Sequence, residues 1–193
     1  MKFIFFDLDE TLIVTESRLH MLSEFQKKRS TQQTTIKIAK KNFYILYYQL
    51  HHMVFQHFYC NQKDFKVFIM SKSKYKKPKI REKINLSFDT ELFTSDFKYM
   101  QSEATETFET VPWVDLDYLG NIRKEAKIQS IIEFLYNKKL TDVDCFLVDN
   151  HPKHLKRAHK LNITVIDSSA PDYQPSLTEL VFGETKSFTK DEW

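Results

Sequence analysis

The chain has 193 residues, enough for one ordinary domain with room for a small insert. Its formal net charge of +3 carries no global nucleic-acid or membrane signature, and its 41% hydrophobic share supports a real core. Two cysteines, Cys60 and Cys145, make no disulfide framework, which favours a reducing compartment, and two glycines argue against a glycine-rich phosphate loop.

No run approaches the roughly 18 apolar residues that cross a bilayer. The apolar run Phe3-Ile4-Phe5-Phe6 is too short for a signal peptide and stops at Asp7. Residues 2–7 read as a fully buried strand. Residues 15–29 read as a short helix with Leu19, Leu22 and Phe25 apolar, and a polar break follows at 28–35. The segment 36–58 gives the strongest helical pattern: Ile36, Ala39, Phe43, Leu46, Leu50, Met53 and His57 step by three and four. Phe65 to Met70 reads as a second strand, and a basic stretch at 72–83 as helical from Pro78 onward. Leu92 to Asp96, Thr110-Val111 and Trp113-Val114 are short strand candidates. Residues 124–138 carry Ile128, Ile131, Ile132 and Leu135 at helical spacing. Cys145 to Asp149 reads as an apolar strand ending in an acid, His151 to Lys160 as a helix, and Ile163 to Ile166 as a strand. The tail from Ser168 is polar and weakly patterned.

Strands alternating with helices predict an α/β fold: a Rossmann-like, doubly wound parallel sheet with helices on both faces. The connection between the first two strands is far longer than a usual βα loop, so it predicts a small helical cap insert. The expected division is an α/β core at 1–12 and 64–170, an insert at 13–63 and a C-terminal tail at 171–193.

Two carboxylates follow the first strand two residues apart, Asp7 and Asp9. A period of two places both on one side if the strand continues, where they repel unless a proton or a cation intervenes. Open α/β sheets build their sites at such carboxyl strand ends. The run Phe3-Ile4-Phe5-Phe6-Asp7-Leu8-Asp9-Glu10-Thr11 resembles the opening of haloacid dehalogenase superfamily phosphatases, an apolar strand followed by Asp-x-Asp-x-Thr. In motif order the resemblance covers roughly residues 2–167. It implies that Asp7 is a nucleophile forming an aspartyl-phosphate, that Asp9 is the general acid and base, and that Thr11 helps to hold Asp9. It implies that Ser71, after the second strand, donates to a phosphoryl oxygen. It further implies that a lysine at a helix start neutralises the site, either Lys127 or Lys124. Asp149 is the family's late acid. Mg²⁺ is then held by Asp7, the Asp9 carbonyl and Asp149, with Asn150 standing where many relatives carry a second acid. The presence of Asp9 favours phosphoryl transfer over dehalogenation, because a halide needs no proton.

The reaction expected from the resemblance is Mg²⁺-dependent hydrolysis of a phosphomonoester. Phosphotyrosine fits an open site under an aromatic-rich insert. A small phosphorylated metabolite is the competing substrate, and phosphotransfer to another acceptor or a catalytically weak binding module are the other readings. His51, His52, His57 and Cys60 read as structural or surface residues rather than a zinc site. No nucleic-acid or membrane partner is expected. A cytoplasmic location is the default. The Lys-, Phe-, Tyr- and Ile-rich composition and the basic stretch also suit an effector secreted by an intracellular bacterium into a host.

Overall fold

The computed structural model describes residues 1–29, 35–38, 41–71, 77–93, 113–115 and 123–183. Strand β1 (Lys2–Asp7) lies at the centre of a five-stranded sheet. Its neighbours are β5 (Phe65–Ser71) and β7 (Asp144–Asp149), with β6 (Trp113–Asp115) and β8 (Thr164–Asp167) outside them. Every pairing in this sheet is parallel. The expected α/β sheet is therefore present, and it is broadly Rossmann-like.

The side chains of β1 explain why helices cover both faces. Ile4 and Phe6 point into one apolar cluster, Phe3 and Phe5 into another. The first cluster draws on α2 (Tyr48–Cys60), α3 (Lys77–Ser87) and α6 (Tyr173–Phe182). The second draws on α4 (Lys124–Tyr136) and α5 (Pro152–His159). All four β1 side chains are fully buried. At about 25 cal/mol per Å² of apolar area, a strand buried on both faces contributes twice over to the same sheet.

The connection after β1 departs from the expected helical insert. It holds β2 (Ile13–Thr15), a 3-10 helix (Glu16–Met21), α1 (Glu24–Arg29), β3 (Thr35–Ile38) and β4 (Lys41–Ile45). The three strands form an antiparallel sheet in the order β2-β4-β3. Only the second half of the predicted 36–58 helix is helical, as α2. The first half holds the antiparallel strands β3 and β4, whose buried Ile36, Phe43 and Ile45 alternate with exposed or half-buried Lys37, Asn42 and Tyr44. That period of two competed with a stripe at three and four, and the β-branched and aromatic residues decided it.

Helix α2 belongs to the core. Phe55 sets its ring edge-on against Phe6, at 5.2 Å between centroids, and Phe58 lies 6.4 Å from the same ring. The tail is also more ordered than its pattern predicts. Helix α6 buries Tyr173, Leu177, Leu180 and Val181 on that same side of the sheet. The predicted strand at 92–96 falls mostly outside the described residues, with Leu92 and Phe93 in a bend; Thr110-Val111 lies outside them, and Trp113-Val114 is a strand, within β6.

Candidate active site

The strand order places a topological switch point beside β1: the chain runs from β1 outward to β5 and β6, then returns to β7 on the other side. Register brings the carboxyl ends of β1, β5 and β7 level. Asp7 pairs with Met70, the residue before Ser71, and Phe6 pairs with Val148, the residue before Asp149.

Lys124 links these strand ends. Its ammonium donates to Asp7 Oδ1 and to Asp149 Oδ2, both at 2.5 Å. Arg123 is extended (φ −75°, ψ 150°), so Lys124 is the first residue of α4. Lys127 is also buried, one turn farther along. Of the two lysines, Lys124 is the one that salt-bridges both acids.

The remaining expected residues gather around this centre. The Ser71 hydroxyl donates to Asp9 Oδ2 at 3.3 Å. Thr11 is fully buried and shares a hydrogen bond of 3.1 Å with the Ser168 hydroxyl. Ser168 in turn donates its backbone N–H to the Asp149 carbonyl at 3.1 Å. Asn150 does not face the acids through its amide nitrogen, which donates to Glu10 Oε2 at 3.1 Å.

Burial dominates the electrostatics. It pushes the Asp7 carboxyl up to about 7; Lys124 pulls it down, and the negative charges of Asp149 and Asp9 push it up again. Burial also raises Asp149, but the His154 hydrogen bond and Lys124 outweigh it and hold that carboxyl below its ordinary value. Burial lowers Lys124, and the two acids more than reverse this. Asp7 and Asp149 bring hard carboxylate oxygens together, the donor chemistry of a divalent cation such as Mg²⁺, which these two would hold. Among the described residues no group of three or more His, Cys, Asp or Glu side chains is arranged to hold a metal ion.

Further residues belong to the site. His154 Nδ1 lies 3.1 Å from Asp149 Oδ2, and its ring stacks on that of His151 at 4.6 Å. It stands five residues after Asp149, on α5. His151 starts that helix: its ring nitrogen accepts the Lys153 N–H at 3.2 Å. Glu10 meets Arg18 at 2.5 Å and accepts from Gln26 through its carbonyl at 2.7 Å. Two histidines of α2, His51 and His57, have packing roles. His51 is buried against Tyr173, with Nε2 2.6 Å from the Tyr173 hydroxyl, and His57 meets the rings of Phe65 and Phe182.

No protein-family model matches the chain, and no curated protein matches it. Among the described residues no helix is long and apolar enough to cross a membrane.

Proposed function

We propose that the chain is a Mg²⁺-dependent phosphomonoester hydrolase of the haloacid dehalogenase type. The observation that carries this reading is the convergence of Asp7, Asp9, Ser71, Lys124 and Asp149 at three adjacent carboxyl strand ends. An Asp7 oxygen would attack phosphorus in line with the leaving oxygen. As the new O–P bond forms, the bond to the leaving group breaks, and Asp9 gives that oxygen its proton. Asp9, now a carboxylate, would take a proton from water. The water oxygen attacks the aspartyl-phosphate, the Asp7 O–P bond breaks and inorganic phosphate leaves. Lys124 lies against the nucleophile throughout and would offset charge on the transferring group, while Ser71 would donate to a phosphoryl oxygen. Mg²⁺, when bound, would neutralise the clustered carboxylates and the phosphoryl oxygens.

The substrate class we favour is a phosphorylated aromatic side chain, with small phosphomonoesters as the competitor. Most aromatic rings of residues 43–58 are used inside the core, Phe43, Tyr47, Phe55 and Phe58 among them. Of the residues described between β1 and β5, Met21, Phe25 and Tyr59 keep large apolar or aromatic side chains exposed, and a substrate ring would have to draw on groups of this kind.

The test is release of phosphate from p-nitrophenyl phosphate, with Mg²⁺ or EDTA, by the wild type and by Asp7→Asn. Mg²⁺-dependent release lost in Asp7→Asn supports hydrolysis, and equal release from both proteins refutes it. Phosphotyrosine peptides, phosphoserine peptides, nucleotides and sugar phosphates compared side by side then rank the substrate classes.

A further inference from the structure

We propose that Glu10 is a positioning residue, through which the segment 16–29 holds in place both loops that carry the acids. The contacts stand on geometry alone; their consequence for turnover rests on the phosphatase reading. Glu10 sits between Asp9 and Thr11 with φ 62°, a left-handed conformation that a glutamate adopts only when its surroundings impose it.

Those surroundings hold the residue through three hydrogen bonds and one ion pair, Oε1 taking part in the ion pair and accepting no hydrogen bond. Its N–H donates to the Ile13 carbonyl at 2.7 Å, and its own carbonyl accepts from Gln26 at 2.7 Å. One carboxylate oxygen pairs with Arg18 at 2.5 Å, and the other accepts from Asn150 at 3.1 Å. Arg18 comes from the 3-10 helix and Gln26 from α1, whereas Asn150 follows Asp149 on the far side of β1.

Gln26 is itself held. It exchanges two hydrogen bonds with Ser23, at 3.1 and 3.2 Å, and the Ser23 hydroxyl donates to the Ser169 carbonyl at 3.0 Å. Rotating Glu10 out of its left-handed well would swing the peptide units that carry Asp9 and Thr11. Releasing its carboxylate would free Asn150 and, with it, the turn after Asp149. One side chain thus joins the loops after β1 and β7, and residues 16–29 supply the grip.

The test uses the full chain and four variants, Glu10→Gln, Arg18→Met, Arg18→Lys and the Glu10→Gln/Arg18→Met pair. Amide hydrogen exchange is followed in peptides covering 7–13 and 149–153. Kinetics on p-nitrophenyl phosphate with Mg²⁺ run alongside. Glu10→Gln and Arg18→Met should speed exchange in both loops while β5 exchanges at the wild-type rate. Their kcat should fall about tenfold, the scale for groups that orient a reacting side chain, with KM nearly unchanged. Arg18→Lys should behave as wild type, and the double variant should be no worse than the weaker single. Wild-type exchange at 149–153 in Arg18→Met would overturn the proposal, as would full additivity in the double variant. Arg18 is on the surface side of the pair, so its variants decide the matter even where Glu10→Gln fails to fold. A wild type without phosphatase activity would sink the phosphatase reading, and the exchange rates would still decide the role of Glu10.

Discussion

The Lys124 ammonium lies 2.5 Å from Asp149 Oδ2, and both groups are buried. The same ammonium reaches Asp7 at the same distance, so one cation serves two acids from separate strands. Removing it leaves two buried carboxylates facing each other. Lys124→Met should therefore destabilise the fold by about 3–5 kcal/mol, the scale for breaking a buried pair from one side. It should also cut kcat/KM by about a hundredfold or more, because charge stabilisation of the transferring group goes with it. Lys127→Met should do far less to activity. Thermal melts and steady-state kinetics on both variants check this, and the reverse ranking would move the role to Lys127.

Asp7 should cost stability in the metal-free protein. A carboxyl whose pKa is higher folded than unfolded binds its proton more tightly in the native state. Its stabilising effect is complete below its ordinary value of 3.8 and is lost as pH rises toward about 7. Asp7→Asn should then melt higher than wild type in EDTA at pH 8, by at least about 3 °C, and the gap should narrow toward pH 4. A variant that melts lower than wild type at pH 8 would show that the Lys124 pair outweighs burial.

His51 should govern part of the acid limb. Burial depresses its pKa to about 3, against 6.5 when exposed, so the unfolded chain takes up the proton first. Its contribution is intact above pH 6.5 and is lost as pH falls, by about 1.4 kcal/mol per unit. His51→Phe removes this dependence along with the Tyr173 hydrogen bond. The variant should be less stable at pH 7.5 and show a shallower fall between pH 6.5 and 5 in urea unfolding. An unchanged slope would mean that other groups set it.

Phe55 distinguishes a core helix from a lid. Its ring is fully buried against Phe6, Phe88 and Phe93. Phe55→Ala should destabilise the whole chain by about 3–5 kcal/mol with a single cooperative transition. A separate low-temperature transition with the main melt unmoved would instead describe a lid that opens independently.

The parallel sheet was legible because β1 and β7 carry continuous apolar runs, Phe3 to Phe6 and Cys145 to Val148, each ending in an acid. The acids and Ser71 could be read because they follow strands in order. The choice of Lys124 over Lys127 could not, since both face the same way on α4 and only the extended Arg123 shows where the helix begins. The antiparallel pair β3 and β4 was hidden because its buried residues also satisfy a helical stripe. Helix α6 was hidden because Tyr173, Leu177 and Leu180 are diluted by polar neighbours, of which Glu179 is exposed and Thr178 is buried. The partners of Glu10 were beyond reach for a different reason: Arg18, Gln26 and Asn150 meet it only through tertiary folding.

The Leu46 N–H donates to the Leu12 carbonyl at 2.9 Å. The chain therefore leaves the neighbourhood of β1 at residue 12 and returns to the same spot at residue 46, beside the departure point. The segment between can change in length without re-routing the sheet, provided that its core side chains Ile13, Val14, Phe43 and Ile45 and the Arg18 and Gln26 contacts to Glu10 are kept. A lineage built on this scaffold has a ready-made docking port for new recognition loops, and a protein engineer has a natural splice junction.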